Sequence, residues 1–184
     1  MRNKLKFLAL FVWLLSSVSI SSQLLEPKVV VKGFMDAIKT NKGSIRWVDL
    51  QGLGEQCLGE YWKSLSQPQI QEFMNVFQRL FEEIAFPKSS KFFSDYEIEF
   101  VDVIVADNEA TVKTSIDHPD EGVIDIDYQL KQVNDAWLVA DVSLDGVSLV
   151  QDLKSQMVQI IKDESFKALL DRMKEKLAAE SSKD

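Results

Sequence analysis

The stretch "VIDIDYQLKQVNDAWLVADVSLDGVSLVQDL", residues 123–153, decides the fold. Ile124, Ile126, Tyr128 and Leu130 alternate with polar residues, the period of a strand with one buried face. "NDA" then marks a turn, and "AWLVADVSL" is a second alternating run. After Gly146 the period lengthens to about 3.6, with Val150, Leu153, Met157, Ile160 and Ile161 on one stripe. A strand pair therefore feeds a helix. Gly146 is read as the changeover, with Ser143 or Asp145 as the helix cap.

Two more alternating runs lie upstream, "YEIEFVDVIV" at 96–105 and "ATVKTSI" at 110–116, followed by the turns "DNEA" and "DHPDEG". Four such runs joined by short polar turns predict an antiparallel meander. One face is apolar, with Ile98, Phe100, Val112, Thr114, Ile116, Ile124, Ile126, Tyr128, Leu130, Trp137 and Val139. The other carries Glu97, Glu99, Lys113, Asp125, Asp127 and Gln129. Such a sheet faces water on one side only.

Helical patterns flank the strands. In "EPKVVVKGFMDAIKT", Pro27 suits an early helical position and Val30, Phe34 and Ile38 share a face. "DLQGLGEQCLGEYWKSL", 49–65, reads as one helix weakened by three glycines. Ser66 and Gln69 form a capping box for a helix carrying Ile70, Phe73, Met74, Phe77, Leu80, Phe81 and Ile84, which Pro87 is expected to end. Beyond "KDES", Phe166, Leu169, Leu170, Met173 and Leu177 continue the last helical stripe. The fold class is α+β: a curved four-stranded antiparallel meander with N-terminal and C-terminal helices packed on one face.

The first residues, "MRNKLKFLALFVWLLSSVSISSQ", have the order of a secretory signal peptide: basic Arg2, Lys4 and Lys6, an apolar Phe7–Leu15 run, then small residues. The run is shorter than the ~20 residues a membrane span needs. Residues 1–22 are read as the cleaved signal, 27–178 as one domain and 179–184 as a polar tail. Export from the cytoplasm follows. Cys57 is the only cysteine, so the exported chain has no internal disulfide, and its place in a helical apolar pattern reads as a buried thiol. The chain holds 21 basic and 29 acidic side chains, and removing the signal leaves 18 against 29. That surface repels nucleic acid and anionic lipid headgroups.

Catalytic signals are weak. The one histidine, His118, sits in a turn beside Asp117, Asp120 and Glu121, a poor spacing for a metal. No nucleophile elbow, phosphate loop or paired cysteines occur. Asp127 reads as outward-facing. Asp141 alone, pointing inward, would revive acid–base chemistry. Patterning by itself describes an ordinary core. The crowding of Phe73, Phe77, Phe81, Phe86, Phe92, Phe93 and Phe100 allows either filled space or the walls of a cavity.

Two stretches resemble the MlaC (toluene-tolerance) family of periplasmic phospholipid-binding proteins. The first, "VDLQGLGEQCLGEYWKSLSQPQIQEFMNVFQRLF", supplies Leu58, Gly59, Trp62, Phe73, Phe77, Leu80 and Phe81. The second, residues 123–161, supplies Ile126, Asp127, Tyr128, Trp137, Asp141, Val142, Gly146, Val147, Ser148 and Leu149. The likeness runs from about Pro27 to Leu177. Departures are Ile84–Ala85–Phe86 where a Tyr is usual, Lys154 for an Arg, and Ala140–Asp141 for a Tyr–Asp pair. The resemblance implies a monomeric carrier, not an enzyme, with no metal and no cofactor beyond a bound phospholipid. It implies shuttling between an inner-membrane ABC transporter complex, with its periplasmic lipid-binding subunit, and an outer-membrane lipoprotein–porin complex, so maintaining outer-membrane lipid asymmetry. Its implied cavity takes as lining Phe73, Met74, Phe77, Leu80, Phe81, Ile84, Phe100, Val112, Thr114, Ile126, Tyr128, Trp137, Val139, Val147, Leu149, Leu153 and Met157. The alternatives are a carrier of another apolar lipid such as a hopanoid, a pure interaction module, or a cone-shaped enzyme using Asp141 or His118.

Overall fold

The computed structural model describes residues 25–182. The expected signal segment, 1–22, and the last two residues of the expected tail lie outside them. No described helix is long and apolar enough to cross a membrane.

Helix α1, Pro27–Thr40, begins on Pro27 and buries Val30, Val31, Phe34, Met35 and Ile38. A 3-10 turn at Ser44–Trp47 leads to α2, Leu50–Leu58, capped by the Asp49 carboxylate, which accepts from the Gly52 N–H at 2.9 Å. The expected 49–65 helix is thus divided. Gly59 has φ 54°, and a 3-10 segment, Gly59–Ser64, follows it. Gly54 stays helical because α2 lies against α3 there: an added Cβ would stand 2.6 Å from the Met74 sulfur.

Helix α3, Gln67–Leu80, starts as expected, with the Gln69 side chain accepting from the Ser66 N–H at 2.9 Å. Its end corrects the sequence reading, because Pro87 does not terminate it. Proline has no N–H to give the carbonyl four residues back, and its ring collides with that carbonyl. The chain answers with a π turn, Phe81–Ala85, in which the Phe86 N–H bonds Phe81 O, and continues as α4, Phe86–Phe93.

The meander follows: β1 Glu99–Ala106, β2 Glu109–His118, β3 Gly122–Val133 and β4 Ala136–Leu144, all antiparallel and in sequential order. A fifth strand, β5 Val147–Ser148, extends the expected four. It exists because Asp145 and Gly146 have φ 48° and 79°, the two-residue turn that matches strand twist. Two bulges bend the sheet. One places Val101 extra on β1, and the other places Ala140 extra on β4.

After β5, α5 (Leu149–Asp163) and α6 (Phe166–Ser181) close the chain, and α6 carries helix into the polar tail. The cap of α5 is neither Ser143 nor Asp145. Ser148 is the N-cap, accepting from the Gln151 N–H at 3.0 Å. The helices cover the apolar sheet face, where Val112, Ile116, Ile126, Tyr128 and Leu130 are at most 2 % exposed. Each such side chain contributes about 1.5–3 kcal/mol on burial. The Thr114 hydroxyl is satisfied there by Ile126 O at 2.9 Å.

Candidate functional site

Two apolar clefts lie between the sheet and the helices. The first, about 350 Å³, is walled by Leu53 and Cys57 of α2, Phe77 and Leu80 of α3, Val139 of β4, and Leu153 and Met157 of α5. The second, about 380 Å³, is walled by Met35 and Ile38 of α1, Phe92 and Phe93 of α4, Tyr128 of β3 and Leu144 of β4. Phe34, Phe81, Ala85, Phe86, Val142 and Leu149 border both. The clefts are therefore neighbours across a shared wall, of which Leu149 is 42 % exposed.

The wall is built by the π turn. Phe81 and Phe86 stand on either end of it with ring centroids 5.6 Å apart, and Phe34 meets Phe86 edge-on at 6.2 Å. Rings continue in both directions. Trp62, Phe73, Phe77 and Phe81 contact in sequence on one side, and Phe34 meets Tyr128 at 6.3 Å on the other. These edge and stacked contacts are the geometries aromatic pairs prefer.

Polar groups on the walls are few. Asp141 and Asp152 border the first cleft, Lys88 and Ser89 the second. Asp141 is engaged structurally. Its carboxylate accepts from the Val142 N–H at 2.7 Å, the Val150 N–H at 3.1 Å and the Ser148 hydroxyl, tying β4 to the start of α5. Cys57 is fully buried, and desolvation first, then the nearby Asp141 charge, pushes its thiol up to about 12. A thiol so held is not a nucleophile near neutrality. Burial likewise pushes the Tyr128 phenol up, and its hydroxyl meets the Met35 sulfur at 2.8 Å. His118 sits at the end of β2, where Nδ1 accepts from the Asp120 and Glu121 N–H groups and the ring stacks on Phe92. Among the described residues no three His, Cys, Asp or Glu side chains converge as a metal site.

The structure brings part of the expected lining together. Phe77, Leu80, Phe81, Val139, Leu149, Leu153 and Met157 border the first cleft, and Tyr128 the second. Phe73, Met74, Ile84, Phe100, Val112, Thr114, Ile126 and Trp137 border neither. Phe73, Val112 and Ile126 have no exposed surface and are solid core. Val147 is corrected outright. It lies in β5 and is 63 % exposed, because the Asp145–Gly146 turn sends it outward. Phe34 and Ile38 were read only as a helix face and Met35 was not singled out, yet all three wall the second cleft. Val142 was missed because it lies three residues from Val139, a spacing that shares one face only across the Ala140 bulge.

A sheet bearing helices on one face is an arrangement met among known proteins. The MlaC protein family model matches residues 40–175. The chain belongs to the MlaC family. Among solved structures, the phospholipid-binding protein from Ralstonia solanacearum, determined in complex with a phospholipid, superposes with a TM-score of 0.71 at 17 % identity. The alignment covers 85 % of this chain and 99 % of that one, so the MlaC-type fold is shared over nearly its whole length. Comparison with functionally curated proteins finds no significant match.

Proposed function

We propose that this MlaC-family chain is a phospholipid carrier that shields acyl tails in its two clefts and leaves the headgroup at the solvent side near Leu149. The observation that carries the reading is the pair of adjoining clefts with almost wholly apolar walls. Each falls in the ~300–1,000 Å³ range of ligand sites. Two tails of ~15 methylenes, at ~0.8 kcal/mol per CH₂, gain on the order of 20 kcal/mol from such cover. A wall shared by two slots suits a ligand with two tails.

The family and the phospholipid-bound Ralstonia solanacearum neighbour support the ligand class. The signal-like first residues support a periplasmic setting. The chain then acts between membranes as a monomer. It takes lipid from, or delivers it to, an inner-membrane ABC transporter complex and an outer-membrane lipoprotein–porin complex, and so keeps the outer membrane asymmetric. Release requires a partner that offers equal cover to the tails. Binding rather than catalysis fits the engaged Asp141 and the inert Cys57.

The test is organic-solvent extraction of the purified, folded protein followed by lipid mass spectrometry. Stoichiometric phospholipid is expected. A sterol-like or hopanoid extract contradicts the ligand class, and a clean extract contradicts the carrier.

A further inference from the structure

The two edges of the sheet are finished differently. On one side β5 pairs with the end of β4, and further along Val139 O accepts from the Asp49 N–H at 2.9 Å beside the Val48–Val139 bridge. On the other side β1 has no neighbouring strand among the described residues. Its outward side meets no other strand there, although the Asp102 carboxylate accepts from the Val103 N–H at 2.8 Å, and apolar side chains on it are exposed: Val101 at 62 %, Ile104 at 50 % and Val105 at 55 %. Proteins ordinarily blunt such an edge with charge, proline or a bulge. Here the bulge at Val101 and the Asp102 carboxylate, which takes the Val103 N–H, occupy one half, and Ile104–Ala106 carries neither device.

We propose that β1 is a docking edge to which an extended segment of a partner protein adds as a further strand, the segment being apolar in its middle and basic at its ends. Unpaired ladder groups are matched by another strand, and exposed Ile104 and Val105 by apolar side chains on it. The ends are set by charge. Glu97 and Glu99 stand at the start of the edge, and Asp107 in the turn and Glu109 at the start of β2 stand at its far end. Among the described residues the only ion pair at these four carboxylates is Lys131 with Glu109, at 4.0 Å. Beside the first end, a groove of about 550 Å³ adds Asp117 to Glu97 and Glu99. A second copy of this chain is a poor occupant. Antiparallel self-pairing centred on Val103 brings Glu99 of one copy beside Asp107 of the other at both ends, and facing like charges are destabilising. The acidic excess of the whole chain draws a basic partner and repels its own kind. None of this depends on the lipid.

The probe is a short synthetic peptide of alternating valine and threonine with lysines at both ends, compared with the same peptide ending in glutamates. Binding is read by fluorescence anisotropy, and the site by amide hydrogen exchange in the intact protein. The lysine peptide is expected to slow exchange in Ile104–Ala106 and to bind about tenfold more tightly than the glutamate peptide. Ile104→Lys, at an exposed position, is expected to weaken it about tenfold with an unchanged circular dichroism spectrum, and Val105→Lys serves if that variant fails to fold. Equal binding of the two peptides, binding indifferent to these variants, or protection confined to other strands overturns the proposal. Protection of β1 that grows with protein concentration alone overturns the choice of partner in favour of a second copy.

Discussion

Phe81 and Phe86, with centroids 5.6 Å apart, stand at the two ends of the π turn and face both apolar clefts. Phe86 donates its N–H to Phe81 O, so one wide turn sets both the backbone hydrogen bond and the ring pair. The wall between the clefts therefore forms where the helix adapts to Pro87, which has no N–H for Glu83 O and whose ring crowds that carbonyl.

Phe86→Ala is expected to remove most of that wall. Phe86 is 6 % exposed, so the loss is that of a buried ring, about 3 kcal/mol. Chemical denaturation should show it, and a structure of the variant should show one continuous void. Two separate voids in the variant would place the wall elsewhere.

Aspartate substitutions on the apolar face should fall into two classes. Leu153 borders the first cleft and is half-buried, so Leu153→Asp should fold and lose bound phospholipid. Ile126 has no exposed surface and borders neither cleft, so Ile126→Asp should unfold the domain by stranding a carboxylate in the core. Lipid content normalised to folded protein separates the two. Leu153→Asp retaining full lipid would contradict the placement of the tails.

Asp141→Ala should cost about 1–3 kcal/mol, because it leaves the Val150 N–H at the start of α5 without its acceptor and frees the Ser148 hydroxyl. Thermal unfolding measures the loss. Lipid binding by the folded fraction should persist, since the carboxylate serves the join between β4 and α5. Abolished binding in a stable variant would give Asp141 a ligand role.

Cys57 links stability to alkaline pH. Its thiol is held neutral in the folded state up to about 12, whereas the unfolded chain ionises near its ordinary value of 9.0. The unfolded state therefore loses its proton first, and stability falls as pH rises through that window, by about 1.4 kcal/mol per unit. The contribution is fully present below pH 9.0. Cys57→Ala should remove this part of the decline, leaving the part due to Tyr128, whose raised phenol acts in the same direction. Denaturation of both proteins across the alkaline range checks it. Identical slopes would show that the thiol is not the linked group. Native Cys57 should also resist thiol reagents until the protein unfolds.

Much of this was legible in the residues. Period-two runs ending in short polar turns gave β1 to β4, and Val30, Phe34 and Ile38 marked the buried stripe of α1. What escaped were departures from regular period. Pro87 reads as a stop, since local chemistry alone forbids an α turn there, and only packing of Phe86 and Phe93 against the body carries the helix onward through a π turn. The Ala140 bulge brings Val142 in beside Val139, and no alternation rule foresees a skipped residue. Phe73 and Phe77 lie on one face of α3 and look alike in sequence, yet only Phe77 reaches a cleft. Which member of an apolar stripe fills space and which borders it depends on the opposite wall.

Native mass spectrometry of the intact, folded monomer tests the central claim most directly. The expected spectrum shows the mature chain carrying the mass of one phospholipid, lost in Leu153→Asp. A folded wild-type monomer at its bare mass, purified without delipidation, would contradict it.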